Sequence, residues 1–520
     1  MRIHFHKPLL LMIPMLIGFH SIQAQDSTKK KPGINVADMD KKVKPSDDLY
    51  RFVNGTWLDK TVIPNDKTAW GTSEELYENT NKDVAKILKE AINNPKYKAN
   101  TDEGKAINLY KSIMDTVSRN QQGINPLKPY LAKIDAIKNT QDLQNVIITM
   151  EPIGGIGFFS TYIGADDKDS NKNSVNIGPG SVGLPDREYY IADDKDSKEK
   201  REQYVAHVAR MLQFLSTDPK ANFTADAQKI LEIESAMSQP RLDRVERRDS
   251  RKQYNPMTVA DLQKLTPVIN WNQYFSALGI TKLDSVIVSQ PRYMTALQTI
   301  LTDKNIEACK AYMRWTLLSR TASQLSNPIG NANFDFYGKT LHGILKRRPL
   351  DERALQTVNS SIGEALGKLY VEKMFPAEAK AKAENMIRNV ILAYKARINN
   401  LTWMSPSTKV KAVEKLDKMI IKIGYPDKWK DYATLKITGT ADGGSYFENM
   451  KNISQWTFND DIKKLGKPVD KTEWFMSPQT VNAYYNPAYN EIVFPAAILQ
   501  PPYYDYRVDE ALNYGAVGAV

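Results

Sequence analysis

Histidine is the residue best suited to metal or acid–base chemistry, and this sequence spaces its five badly for either. His4, His6 and His20 crowd the extreme N-terminus, while His207 and His342 stand alone without a partner at metal-ligand spacing. Each of the latter two reads as a surface or internally satisfied histidine. Cys309 is the only cysteine, so no intramolecular disulfide is possible. With no His nearby in sequence, it reads as a buried structural thiol. The acidic groups Asp166-Asp167-Lys168-Asp169 and Asp193-Asp194 lack the ligand spacing and closing Glu of an EF-hand, and read as solvated loops. Neither a G-x-x-x-x-G-K-[ST] phosphate loop nor a G-x-S-x-G nucleophile elbow is present. What remains is backbone recognition. Val481 to Tyr485 is a short alternating segment flanked by Pro and Tyr, which suits an exposed edge strand able to pair with an extended peptide. The Asn482 amide both donates and accepts hydrogen bonds and could anchor such a peptide; it could equally satisfy a turn in a core hairpin.

The elements that must position this strand are mostly helical. From Glu74 onward, helix-like texture dominates. Ile387, Ile391, Tyr394, Ile398 and Leu401 fall on one face of a long helix. Ser405 as N-cap and Pro406 at the first helical position predict another helix, running through Met419 and stopping near Gly424 and Pro426. Thr258, with Asp261 three residues on, has the pattern of a capping box. Two regions depart from the helical rule. Ile156 to Ile177 predicts a hairpin joined through Asp166–Asp169. The Tyr-, Asn- and Pro-rich stretch from Gly439 predicts strands at Val481–Tyr485 and Glu491–Phe494 around an Asn486-Pro487 turn.

The 520 residues are 42% hydrophobic and 25% charged, enough for a sizeable core. The net charge of +11 is diffuse, with Lys and Arg interleaved among Asp and Glu, which argues against a polyanion-binding protein. Arg2 and Lys7, the apolar stretch Leu9–Phe19 and the small residue Ala24 have the form of a secretory signal over residues 1–24. The apolar stretch is shorter than the ~20 residues a membrane-spanning helix needs, so no stable membrane span is expected. Residues 25–44 read as a polar linker. Export without disulfides fits a bacterial envelope.

Several blocks in consistent order carry a resemblance covering about residues 45–520. They are Asp47-Asp48-Leu49-Tyr50 with Asn54-Gly55-Thr56-Trp57, Gly183-Leu184-Pro185-Asp186-Arg187-Glu188-Tyr189-Tyr190, Leu366-Gly367-Lys368-Leu369-Tyr370-Val371, and Ile423-Gly424-Tyr425-Pro426-Asp427-Lys428-Trp429. The tail adds Val481-Asn482-Ala483-Tyr484-Tyr485, Asn490 to Ala496, and Ile498-Leu499-Gln500-Pro501-Pro502. Together they resemble the neprilysin and endothelin-converting enzyme family of zinc metallopeptidases, including its bacterial PepO-like members. The resemblance implies an exported zinc metalloendopeptidase acting on oligopeptides. It assigns Asn482, Ala483 and Tyr485 to substrate binding, and zinc as the cofactor.

One departure limits that inference. The family binds zinc through H-E-x-x-H on a helix plus a later Glu, and the motif does not occur in these residues. The expectation is a fragment that stops before the first zinc ligand, inactive alone, with no catalytic or metal residue inside it. The alternative is a non-catalytic peptide-binding protein of the same fold. The expected architecture is mainly α: a large helical lobe over 71–440 covering the cleft, with 45–70 and 441–520 contributing to the incomplete start of a thermolysin-like α+β catalytic lobe.

Overall fold

The computed structural model describes residues 35–281 and 283–520; the expected signal at 1–24 lies outside them. The fold is mainly α, with seven short strands among the described residues. These are β1 (Phe159–Ala165), β2 (Asn173–Pro179), β3 (Pro256–Met257), β4 (Val286–Val288), β5 (Ile420–Gly424), β6 (Tyr484–Asn486) and β7 (Glu491–Pro495). They form two sheets of order β1-β2-β4-β3 and β5-β7-β6.

Two apolar cores organise the helices. The first spans Leu127 to Phe336 and takes in Phe447; its fully buried side chains include Trp271, Trp315, Tyr204 and Tyr312. The helix Ile306–Thr321 lies at its centre, against Thr224–Ser238 and Lys195–Leu212. The second core gathers residues 76–113, 354–387 and 423–517. Here the long helix Leu350–Met374 packs on Thr72–Ile92 and Asp102–Met114. Truncating a buried aromatic to Ala in cores of this kind costs about 3–5 kcal/mol, so each core fixes its elements firmly.

Local signals explain most boundaries. Thr258 accepts from the Asp261 amide and donates to the Asp261 carboxylate, closing the capping pair ahead of Val259–Leu265. Ser405 accepts from the Thr408 amide and Pro406 opens the helix Pro406–Asp417. The helix expected from Ile387 onward is Ala377–Asn399, but its buried face is Ala379, Ala383, Met386 and Ile387; Tyr394 is exposed and Leu401 lies beyond the helix. The predicted hairpin is β1 and β2, in antiparallel register from Phe159↔Pro179 to Ala165↔Asn173.

Four expectations are corrected. The helix after Ser405 ends at Asp417 rather than near Gly424, because the β-branched run Ile420, Ile421 and Ile423 pairs as β5, parallel to β7. Gly424, at φ +77, ends that strand where a Cβ would lie 2.4 Å from the Phe375 ring. The strand foreseen at Val481 begins at Tyr484. Asp166 is not solvated: it is buried and accepts from Ser174, Tyr254 and the Lys168 and Asp169 amides, locking the β1–β2 connection. The described end of the polar segment 25–44 is not a free linker, since the Asp40 amide donates to Phe52 O and Thr56 donates to Met39 O on the helix Leu49–Lys60.

The block Gly183–Tyr190 surrounds a carboxyl group that the sequence does not advertise. Glu234 is buried and accepts from the Tyr190 hydroxyl at 2.7 Å, the Tyr204 hydroxyl at 2.8 Å and the Gly183 amide at 3.1 Å. Burial raises its pKa to about 7. The network ties the helices Lys195–Leu212 and Thr224–Ser238 to the segment Gly183–Tyr190, a structural role.

Candidate functional site

The sheet β5-β7-β6 is built so that one strand stays open. β7 is paired on both sides, parallel to β5 and antiparallel to β6, whereas β6 pairs only with β7, through Tyr484↔Val493, Tyr485↔Ile492 and Asn486↔Glu491. The outer edge of β6 therefore presents main-chain donors and acceptors with no partner strand in the sheet. The loop 487–490 closes the hairpin with Asn490 at φ +49, a conformation Asn tolerates better than most residues. Asn490 then bonds Lys415 O through its amide nitrogen and the Tyr485 hydroxyl through its amide oxygen.

The approach to β6 is fixed by the helix Leu350–Met374. Pro478 lies so close to Gly367 that a Cβ there would sit 2.7 Å from Pro478 Cδ. A Cβ at Gly363, one turn earlier, would sit 2.8 Å from Ser477 Cβ. Gly367 belongs to the block Leu366–Val371, and close approach is its physical reason. Asn359 accepts from both Ser477 and Gln479 at 2.5 Å, and Gln479 also donates to Gly363 O at 2.8 Å. The chain is thus clamped to the helix just before the residues assigned to substrate binding.

Of the three residues that the resemblance assigns to substrate binding, Tyr485 lies in β6, and Asn482 and Ala483 precede the strand. Asn482 is exposed, its amide N–H donates to Thr480 O, and its Oδ1 accepts from the Ala483 amide at 2.9 Å. These local bonds hold 481–483 in a turn and delay the strand to Tyr484. Tyr485 is 42% exposed, with the Lys415 ammonium 5.6 Å from its ring centroid. Tyr484 faces the other way and accepts from the Phe475 amide.

Beneath the strand sits a charge pair that sequence reasoning missed. Lys422 on β5 and Glu491 on β7 approach to 2.5 Å, and the Glu491 side chain is fully buried. Neither Glu491 oxygen has a well-aligned hydrogen bond among the described residues, although the Tyr484 hydroxyl lies close enough that, after burial, the carboxylate helps raise its pKa; Lys422 donates to Glu473 O at 2.7 Å. The attraction is therefore of charge rather than of hydrogen-bond geometry. A lone Lys in the apolar run Ile420–Ile423 was the available signal.

The described histidines, His207 and His342, and the thiol take no part in this site. His207 is buried, stacked on Phe336 at 4.6 Å and edge-on to Trp315 and Tyr337, and burial lowers its pKa to about 4. His342 lies on the surface, its Nδ1 2.6 Å from Tyr337 O. Burial pushes the Cys309 thiol up to about 12, leaving it inert. Zinc is the metal the family resemblance implies, and the residues present do not fit it: no group of three or more His, Cys, Asp or Glu among the described residues could hold a metal ion.

A large helical body clamped against a small mixed sheet with one open strand places the chain among the mainly helical metallopeptidases. The chain belongs to peptidase family M13, which matches residues 45–426 and 482–520. It is 31% identical over 511 residues to an endothelin-converting enzyme homolog of Locusta migratoria, covering 93% of this chain and 69% of that protein. It is 29% identical to human endothelin-converting enzyme 1, covering 93% of this chain and 64% of the relative. The chain thus spans less than two thirds of the human enzyme's length. Zinc metalloprotease 1 of Mycobacterium tuberculosis, solved in complex with an inhibitor, superposes with a TM-score of 0.87 at 35% identity, over 94% of this chain and 73% of that one. PepO of Lactobacillus rhamnosis superposes with a TM-score of 0.84 at 26% identity, over 92% and 75%. No helix of the described residues is long and apolar enough to cross a membrane.

Proposed function

We propose that this chain is the peptide-holding part of an exported, neprilysin-like zinc endopeptidase acting on oligopeptides. The observation that carries the reading is the open edge of β6 beside Asn482, Ala483 and Tyr485. An extended peptide adds to such an edge through main-chain hydrogen bonds, which tolerate varied side chains. In this reading Asn482 turns its amide toward the peptide backbone, Ala483 leaves room beside it, and Tyr485 flanks the bound chain. Residues 71–440 cover the cleft, while 45–70 and 441–520 belong with the catalytic lobe. The leader at 1–24 directs export to the periplasm, cell envelope or medium.

The metal of the intact protein is bound by residues outside these 520, so the chain alone is inactive. A quenched fluorescent oligopeptide tests this. The 520-residue chain should leave it uncut with or without a zinc chelator. A longer coding sequence carrying H-E-x-x-H should gain chelator-sensitive cleavage. Chelator-sensitive cleavage by the 520 residues alone contradicts the reading.

A further inference from the structure

Three arginines from distant parts of the sequence converge on one cavity of about 300 Å³, at the seam between the two cores. Arg119 comes from the helix Thr116–Gln122, Arg347 from the connection before the helix Leu350–Met374, and Arg353 from that helix's first turn. Ser323, Gln356, Thr357, Ser360 and Tyr446 complete the polar lining, and no Asp or Glu among the described residues lines it. Arg119 is only 5% exposed; its Nη1 donates to Ile113 O, its guanidinium lies 5.7 Å from the Tyr446 ring centroid, and its Nε has no hydrogen-bond partner. Arg347 bonds the neutral Asn331 amide, and Arg353 bonds Arg348 O. Asp115, the carboxylate whose charge bears on Arg119, also caps its own helix by accepting from the Ser118 amide.

Arg119 is buried and Arg347 and Arg353 are half-buried; positive charge held partly out of water without a close counter-charge is costly, and here the charges also oppose one another. Burial, then Arg353 and Arg119, push the Arg347 pKa down to about 10. Burial, then Arg353, lowers that of Arg119 as well. A fold that only needed to fill this space would do so with apolar side chains. Guanidinium groups are planar forks suited to bidentate contact with carboxylate or phosphate oxygens. The Thr357 and Ser360 hydroxyls already donate to Arg353 O and Thr357 O, so the arginines supply the donors.

We infer that Arg119, Arg347 and Arg353 form an oxyanion-binding site that takes a carboxylate or phosphate group. The site stands independently of the role given to β6. Its oxyanion can come free in solution or on a peptide. The peptide source rests on the β6 reading, because Gln356 lines both this cavity and its neighbour, which is also lined by Val481 next to Asn482.

The test is a melting titration of the 520-residue chain at constant ionic strength. One arm uses inorganic phosphate; the other uses two oligopeptides that differ only in Glu against Gln. The site predicts a saturable rise in melting temperature with phosphate, with the Glu peptide, or with both. Arg347→Gln and Arg353→Gln should each weaken the responding probe at least tenfold. Without anion, their melting temperatures should be unchanged or higher, because a mutual repulsion has gone; a purely structural arginine would lower them. A response to phosphate alone assigns a free oxyanion. A response to the Glu peptide but not the Gln peptide assigns a peptide carboxylate. No response to either probe, or equal responses in wild type and both variants, overturns the site without touching the β6 reading.

Discussion

Lys422 Nζ lies 2.5 Å from Glu491 Oε2, joining the two strands that support the open edge of β6. Both side chains are buried, the carboxylate completely. Taking two charges out of water costs several kcal/mol each, so the pair is no simple source of stability. Its consequence is asymmetry: either charge without the other is far worse than both or neither.

Lys422→Met should therefore destabilise the chain by about 3–5 kcal/mol, since it strands the Glu491 carboxylate. Adding Glu491→Leu should recover most of that loss. Urea denaturation of the wild type, both single variants and the double variant measures the coupling. Additive losses would show that the two residues do not act as a pair.

Glu234 sets a pH dependence of definite sign. Burial raises its pKa to about 7 from an ordinary 4.5, so the folded chain holds this proton more tightly than the unfolded one. Its contribution is complete below the unfolded value and is lost as pH rises through about 7. A displacement of that size corresponds to about 3 kcal/mol. Glu234→Gln should flatten the fall in stability between these pH values. Glu151, also raised to about 7 by burial, leaves a smaller slope of the same sign. His207, lowered to about 4, acts oppositely, withdrawing stability as pH falls below its ordinary 6.5. Melting curves across this range provide the comparison; identical slopes in wild type and Glu234→Gln would contradict the assignment.

The sequence made some of this legible for reasons that are local. Thr258 and Ser405 announce their helices because a cap needs only a side chain and an amide three residues on. The β1–β2 hairpin is visible because its strands are close in sequence. The open strand was half visible: Tyr484 and Tyr485 belong to it as expected, whereas Asn482, for which a turn role was the alternative, bonds Thr480 and Ala483 locally before the strand begins. β5 was hidden because an apolar run following a helix looks like more helix until its partner, some 70 residues later, is known. Lys422–Glu491 and the three arginines were hidden for the same reason: each grouping exists only through long-range packing.

Asn482 gives the sharpest mutational test, in a catalytically complete protein. It is exposed, and its side-chain oxygen meets only its neighbour's amide, so Asn482→Ala should barely move the melting temperature. Losing hydrogen bonds to substrate backbone costs about 0.5–1.5 kcal/mol each, which predicts a fall in kcat/KM of roughly tenfold across unrelated peptides. A lowered melting temperature with normal kinetics would assign Asn482 to the turn instead.

Amide hydrogen exchange in the 520-residue chain, with and without an uncleaved oligopeptide, addresses the open strand itself. If β6 accepts an extended peptide, amides between Val481 and Asn486 that face away from β7 should exchange more slowly as peptide is added. Those of β5 and β7, already paired, should not change. The same peptide methylated on alternate backbone nitrogens should lose the effect, because it cannot complete the ladder. Unchanged exchange along 481–486 at peptide concentrations that saturate binding elsewhere on the chain would contradict the claim that this edge holds the substrate.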